Sequence, residues 1–525
     1  MNLAEVLTRQ AVERGAAPAL IARRGGVDVV VSFADLAAQV EQAAAALAAE
    51  GVCEGDRVLV FQPMSIELYV ALLALFRLGA VAMFLDPSAG REHIERCCAL
   101  GQPRALIASV KAHALRLVSA PLRRIPVKLV LGGWVPGARR LDVRRRGQLG
   151  KSALQDGDGA RGVGGAQGNG MNVVAVPPIC PVADEAEALL TFTSGSTGLP
   201  KAAVRSHGFL LAQHRVLEGS IALETGELDL ATLPVFVLAN LASGVTSLLP
   251  DTDLRKPGSI EAGPVVRQME KFLPTRAAGS PAFFEQLLDE YEARPQEARA
   301  CSLRKVYLGG AAVFPSLLRR MKEVWPLVHP VAVYGSTEAE PIAHIDWDAM
   351  TAADLRAMQE GAGILAGKPV PEIEVRLSAE GEIQVAGAHV LPGYLNGAGD
   401  AETKIREGGK IWHRTGDAGR FDTEGRLWLL GRCSAVMAGE VYPFTVECAA
   451  MELPWVRRCG CVEVAGKRVL AVELRPGMTR REEEEPSRLA WAKLDRVVAV
   501  RRLPVDKRHN AKVDYAELRR MLDGG

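Results

Sequence analysis

The sequence has no apolar run long enough to cross a bilayer. Its most hydrophobic stretch, Tyr69 to Leu85, is broken by Arg77 and Gly79 and falls short of the roughly 20 residues a spanning helix needs. It reads instead as a buried helix followed by a buried strand. Cysteine is scarce: nine among 525 residues, an odd number, which argues against a secreted disulfide scaffold and fits a reducing cytoplasm. Cys459 and Cys461 form a C-x-C with no second pair or His pair at zinc-ligand spacing, so they read as plain thiols. Net charge is nearly absent as well. Lys plus Arg (63) and Asp plus Glu (62) leave +1, and the chain as a whole lacks the basic field of a nucleic-acid binder. The first residues carry Glu5, Glu13 and Arg14 among apolar positions, so they read as an amphipathic helix rather than a signal peptide. No repeat with a period of about 20 to 50 residues is found.

What is present is an ordinary globular composition, 48% hydrophobic and 24% charged, on a chain longer than one core usually supports. At least two domains are expected. Short apolar runs such as RVLVF (57–61) and VAMFLD (81–86) alternate with helical stretches such as SIELYVALLALFRLG (65–79), the pattern of β-α units on a largely parallel sheet. Between Trp134 and Asn172 the chain turns Gly- and Arg-rich and reads as a surface insertion without a core. Strands resume with ALLTFTS, TRAAGS, RKVYLGG and HPVAVYGS, each ending in small or polar residues, the arrangement in which ligands sit beyond the carboxyl ends of strands. A boundary is placed near Arg432. The expected fold is therefore α/β, with a large domain over 1–431 and a small α+β domain over 432–525.

The most informative stretch is LTFTSGSTGLPK (190–201). Thr193, Ser194, Ser196 and Thr197 surround Gly195 and Gly198, and Lys201 follows. Backbone N–H groups and hydroxyls of such a loop can point at phosphate oxygens while the lysine offsets their charge. It is neither the Walker A spacing nor the dinucleotide G-x-G-x-x-G. By composition alone, a flexible Gly/Ser surface loop is an equal reading.

TFTSGSTGLPK resembles the signature phosphate loop of the adenylate-forming superfamily of acyl-CoA synthetases, peptide-synthetase adenylation domains and luciferases. LGGAAV (308–313), YGSTE (334–338), HRTGD (413–417), LLGR (429–432) and LPVDKRHNAK (503–512) resemble the family's other motifs in the same order, so the likeness covers nearly the whole chain. It implies the adenylate-forming fold, with ATP and Mg²⁺ as cofactors. Tyr334 and the turn Gly309, Gly310 and Ala311 would flank the adenine. Within YGSTE, Gly335 and Ser336 would complete the nucleotide contact, Thr337 would bond the α-phosphate and Glu338 would hold Mg²⁺ through a hard carboxylate oxygen. Asp417 would accept from the ribose hydroxyls, with Arg432 assisting. Lys512, delivered by the small domain, would stabilise the charge that builds when a carboxylate attacks the α-phosphorus. Each residue alone has an ordinary reading as core aromatic, turn carboxylate or surface cation; the ordered set is what argues for the site.

Two departures from the family pattern stand out. Ala511 occupies the place before the lysine where the family commonly has glycine. Cys433 and Ser434 follow Gly431 and Arg432 where an acidic hinge is common, and the loop at Gly439 is about one residue short. That loop serves the thioester step in CoA-using members, so CoA is left open as a second substrate. LPVFVLANLASG (233–244) and GSPAFFEQLL (279–288), with Phe236, Phe283 and Phe284, read equally as an acyl pocket or as core. ALFRLGAV (74–81) with LDPSAG (85–90), LPVFVLANLASGVTSLLPDTD (233–253) and PVDKRHNAKVD (504–514) look closest to the olefin β-lactone synthetase branch. In that branch a β-hydroxy fatty acid is adenylated and its own hydroxyl attacks the activated carbonyl. A fatty acyl-CoA or acyl-AMP ligase is the alternative, and a non-catalytic nucleotide-binding protein a lesser one. The expected partners are a small-molecule fatty acid and enzymes of the same lipid pathway, with neither nucleic acid nor a transmembrane anchor.

Overall fold

The computed structural model describes residues 1–85, 90–141, 175–194, 200–480, 489–506 and 512–523, with only the backbone described at Thr193 and Ser194. Most of the Gly- and Arg-rich stretch (142–174), Gly195, Ser196, Thr197 and Gly198 of the glycine–hydroxyl loop, and 507–511 of the lysine segment lie outside the described residues. The chain forms two compact units: Met1–Ala19, Val30–Thr191 and Ser206–Gly208 in the first, and Leu20–Val29, Phe192–Arg205 and Phe209–Gly525 in the second.

In the first unit, β-α alternation gives a parallel arrangement in which Arg139–Arg140, Val127–Leu131, Ala105–Ser109, Arg57–Phe61, Val81–Phe84 and Glu187–Ser194 are successive neighbours. The expected helix forms over Ile66–Arg77, started by Ser65, whose hydroxyl accepts from the Leu68 N–H at 3.3 Å. Nearly every residue on it is apolar, and accordingly it is buried on all sides, packed against the helix Phe33–Ala49. The N-terminal helix forms over Ala4–Arg14. It is tied down by Asn2, whose side-chain amide donates to the carbonyls of Phe76 (2.7 Å) and Cys180 (2.9 Å).

The second unit is built on a sheet that changes character midway. Thr246–Leu248, Leu228–Ala231, Arg276–Gly279, Lys305–Leu308 and His329–Ser336 run parallel. A tight reversal at Thr337 and Glu338 then returns the chain as Ala339–Asp346, antiparallel to the strand before it. Ile364–Pro369, Leu427–Arg432, Lys410–Phe421, Glu382–Ala386 and Glu374–Leu377 extend the sheet, all antiparallel. Phe283 and Phe284 sit at 0% exposure in the principal core and Phe236 in a second cluster with Tyr307 and Val333, so these phenylalanines pack as core residues.

Beyond Arg432 the chain forms its own three-stranded sheet, Val456–Val464, Lys467–Leu474 and Arg496–Val500, with its own apolar cluster around Trp455, Leu470 and Val472. By contacts this segment groups with the second unit. Two links are Arg458 with Glu285 (2.9 Å) and Arg319 with the buried Glu452 (2.7 Å). Inside it, Glu447 on the helix Pro443–Ala450 is fully enclosed, where it accepts from the Cys461 N–H (2.9 Å) and the Tyr515 hydroxyl (3.0 Å).

Burial pushes the Glu447 carboxyl up to about 8, against the donors that favour its charge. An acid whose pKa is higher folded than unfolded stabilises most below its unfolded value, near 4.5, and loses that contribution as pH rises through about 8. Glu447→Gln is therefore expected to flatten the decline of stability between those limits, an effect on the order of a few kcal/mol. Urea unfolding of both proteins across that pH range checks it; parallel curves would refute it.

Candidate active site

Three residues singled out in sequence meet at the carboxyl end of the parallel strands. Tyr334 ends up near the tip of the strand His329–Ser336, while Asp417 and Arg432 face each other as direct partners on neighbouring antiparallel strands. The Tyr334 hydroxyl donates to one Asp417 oxygen at 2.9 Å and Arg432 Nη1 donates to the other at 2.9 Å. Arg432 also reaches the Thr415 carbonyl at 3.1 Å. Beneath them the buried Glu382 accepts from the Gly416 N–H (3.1 Å) and from Arg414 (2.7 Å), which fixes the turn carrying Asp417. Burial holds the Tyr334 phenol well above its usual range, so it remains a donor. A carboxylate presented this way suits a vicinal diol, which can replace these donors one for one.

Beside it lies Glu338, at the reversal where the sheet changes direction. Tyr394 donates its hydroxyl to Glu338 Oε1 at 2.8 Å, and the Leu391 N–H donates to the Glu338 carbonyl at 2.7 Å. Lys404 donates to the carbonyl of the same Leu391, lies 5.6 Å from the Tyr394 ring centre and stands 3.2 Å from His413 Nδ1. Burial draws the Lys404 ammonium down to about 8. Burial and the Lys404 charge bring His413 down to about 4, leaving a neutral imidazole. Burial opposes the charge on Glu338, but the adjacent His413 ring and hydrogen bonds from Tyr394 and Ser336 outweigh it and hold the carboxyl below its ordinary value. An ionised oxygen donor at a strand end fits a hard divalent cation.

Lys201 comes to the same place from the strand Pro200–Ser206. Its ammonium is 3.6 Å from Glu402 and 5.9 Å from the Tyr394 ring centre, and the next strand position but one, Ala203, bridges Tyr394. Its side chain lies against Gly399, whose φ of +97° and lack of a Cβ make the room. Arg205, further along that strand, donates to the Thr337 carbonyl at 2.9 Å. The Ser336 hydroxyl accepts from the Glu338 N–H at 3.2 Å. Gly309, Gly310 and Ala311 form the turn after Lys305–Leu308, and the Gly309 N–H donates to the Gly279 carbonyl at 3.0 Å. Lys512 is not brought to this cluster. It is exposed, and its N–H and carbonyl pair with Asp506, beside an antiparallel bridge between Val505 and Val513.

The structure thus gathers Tyr334, Asp417, Arg432, Glu338 and Lys201, which the sequence singled out, with Tyr394, Lys404 and His413, which it did not. Tyr394 stands in LPGYLN, where a lone aromatic after Pro-Gly was a usable signal. Lys404 stands among charged residues in AETKIREGGK and carried none.

The chain is similar to known proteins over nearly its whole length. Residues 7–395 match the profile of the AMP-binding enzymes. The chain is 32% identical to an olefin β-lactone synthetase from Xanthomonas campestris, covering 98% of this chain and 96% of that protein. It is 31% identical to another from Stenotrophomonas maltophilia, covering 94% and 91%. Among solved structures, amide bond synthetase McbA from Marinactinospora thermotolerans superposes with a TM-score of 0.78 at 24% identity, covering 99% of both chains. ATP-bound MatB from Rhodopseudomonas palustris does so with 0.75 at 19%, covering 100% of this chain and 99% of its own.

Removing the Tyr394 hydroxyl leaves the half-buried Glu338 with one donor fewer. Tyr394→Phe is expected to slow pyrophosphate exchange into ATP by roughly tenfold or more while shifting the melting temperature only a few degrees. An unchanged exchange rate would remove Tyr394 from the site. Gly399→Ala is expected to displace Lys201 and weaken nucleotide binding, measured by calorimetry with ATP.

Proposed function

Because the chain belongs to the AMP-binding enzyme family and is an adenylate-forming enzyme, we propose that it uses ATP to activate a β-hydroxy fatty acid and closes it to a β-lactone. In the first step an oxygen of the acid's carboxylate attacks the α-phosphorus, and pyrophosphate leaves. In the second the substrate's own β-hydroxyl, giving up its proton, attacks the acyl carbonyl and AMP leaves. A tethered nucleophile avoids the entropy loss of a second encounter, so no CoA is consumed.

In this reading Asp417 accepts from the ribose hydroxyls with Arg432 beside it, and Tyr334 and the Gly309–Ala311 turn flank the base. Thr337 bonds the α-phosphate, the loop through Thr193, Ser194, Gly195, Ser196, Thr197 and Gly198 with Lys201 cradles the outer phosphates, and Glu338 holds Mg²⁺. When bound, that ion offsets phosphate charge. The segment from Arg432 onward acts as a small mobile domain that carries Lys512 to the α-phosphate; its separate sheet and apolar cluster support this division.

The observation that carries the lactone step is the likeness, over nearly the whole chain, to two olefin β-lactone synthetases. The altered hinge supports it. After Cys433 and Ser434, the short loop Ala438–Glu440 is closed by pairing of Met437 with Val441 and tied to Glu463 (2.6 Å) and Arg468 (2.7 Å). A β-lactone is a strained ester, so an enzyme that consumes it belongs to the same lipid pathway.

A long-chain 3-hydroxy acid with ATP and Mg²⁺ is expected to yield β-lactone, AMP and pyrophosphate, identified by mass spectrometry. Formation of acyl-CoA on adding CoA, and never of lactone, would establish the thioester ligase instead. Lys512→Ala is expected to reduce adenylate formation by roughly a hundredfold or more with an unchanged melting temperature; unchanged pyrophosphate exchange would remove Lys512 from its role.

A further inference from the structure

In a chain of almost zero net charge, the 37 residues from Ala105 to Leu141 carry seven lysines and arginines and no aspartate or glutamate. They form the outer edge of the first unit's sheet, which ends at Arg139–Arg140, together with three short helices, Val110–His113, Leu115–Val118 and Ala120–Arg124. The same edge exposes large apolar side chains: Leu117 at 81%, Trp134 at 75%, Val118 at 54%. These groups are contiguous. A methyl on Gly133 would come within 2.5 Å of Val110 Cγ2, which sets the Trp134 loop against the first helix. Arg116 donates to the Pro136 carbonyl at 3.3 Å, and Arg123 donates to the carbonyls of Arg116 (2.9 Å) and Leu117 (3.0 Å).

We propose that this edge docks on the surface of an anionic lipid bilayer. Arg139 is matched by Glu50 at 2.8 Å, but the other six cations have no carboxylate partner among the described residues. Arg116 and Arg123 spend their donors on neutral carbonyls, which orients them without cancelling their charge. Unpaired cations draw the edge to acidic headgroups, and tryptophan, leucine and valine then enter the headgroup–acyl boundary. A nucleic acid would be met by the same cations but has no use for exposed Leu117 and Val118, whereas a bilayer uses both. No described helix is long and apolar enough to cross a membrane, so contact of this kind is peripheral. The proposal goes beyond the adenylating reaction and is read out without it.

The test is co-sedimentation of the full chain with vesicles of phosphatidylglycerol and phosphatidylcholine, against phosphatidylcholine alone. Binding is expected only with phosphatidylglycerol present, and added salt should release it. Arg123→Gln with Arg124→Gln should lower the partition coefficient roughly twentyfold, since each surface cation contributes about fivefold. Trp134→Ser with Leu117→Ser should lower it severalfold while leaving retention on heparin unchanged; all four positions are on the surface, and circular dichroism confirms the fold. Three results would overturn the proposal: no binding to phosphatidylglycerol vesicles, binding that survives both double variants, or loss on heparin that follows the apolar variant as closely as loss on vesicles, which would mark a protein or nucleic-acid partner.

Discussion

A carboxylate withdrawn from water must be met by donors, and the reversal at Glu338 is organised around meeting one. Tyr394 supplies the hydroxyl, and the Leu391 peptide supplies both an N–H for the Glu338 carbonyl and a carbonyl for Lys404. One short segment therefore holds the carboxylate, its backbone and the buried cation behind it. The same segment pairs with the strand bearing Lys201 through Ala203 and Tyr394. If that packing slackens, Lys201, Thr337 and Glu338 all lose their setting together, because a half-satisfied buried polar network is worse than none.

The sheet explains why this happens at one place. Parallel strands deliver their carboxyl ends to a common edge, and Gly309 and Tyr334 sit there for that reason. The change to antiparallel pairing folds the chain back and brings in Asp417 and Arg432 from strands distant in sequence. Tyr334 joins the two halves through its bond to Asp417.

Much of this was legible beforehand because it is written in local patterns. The helix Ile66–Arg77, the strands Val81–Phe84 and His329–Ser336, and the set Tyr334, Asp417 and Arg432 follow from periodicity or from ordered motifs. Lys404 was invisible because its neighbours are charged and only tertiary burial separates it from them. His413 lay inside a quoted motif, yet its neutrality comes from enclosure and from a lysine nine positions earlier. Phe236, Phe283 and Phe284 could be read as pocket or core because apolar periodicity marks burial without saying what lies opposite; packing makes them core.

Arg432 occupies a position with a mechanical corollary. It is the last residue of its strand, and the chain leaves directly from it toward the C-terminal sheet. Its guanidinium meanwhile clasps Asp417 and the Thr415 carbonyl. Whatever competes for Asp417 thus also competes for the residue from which the last 93 residues leave the sheet, so one carboxylate is shared between the site and the root of the C-terminal segment.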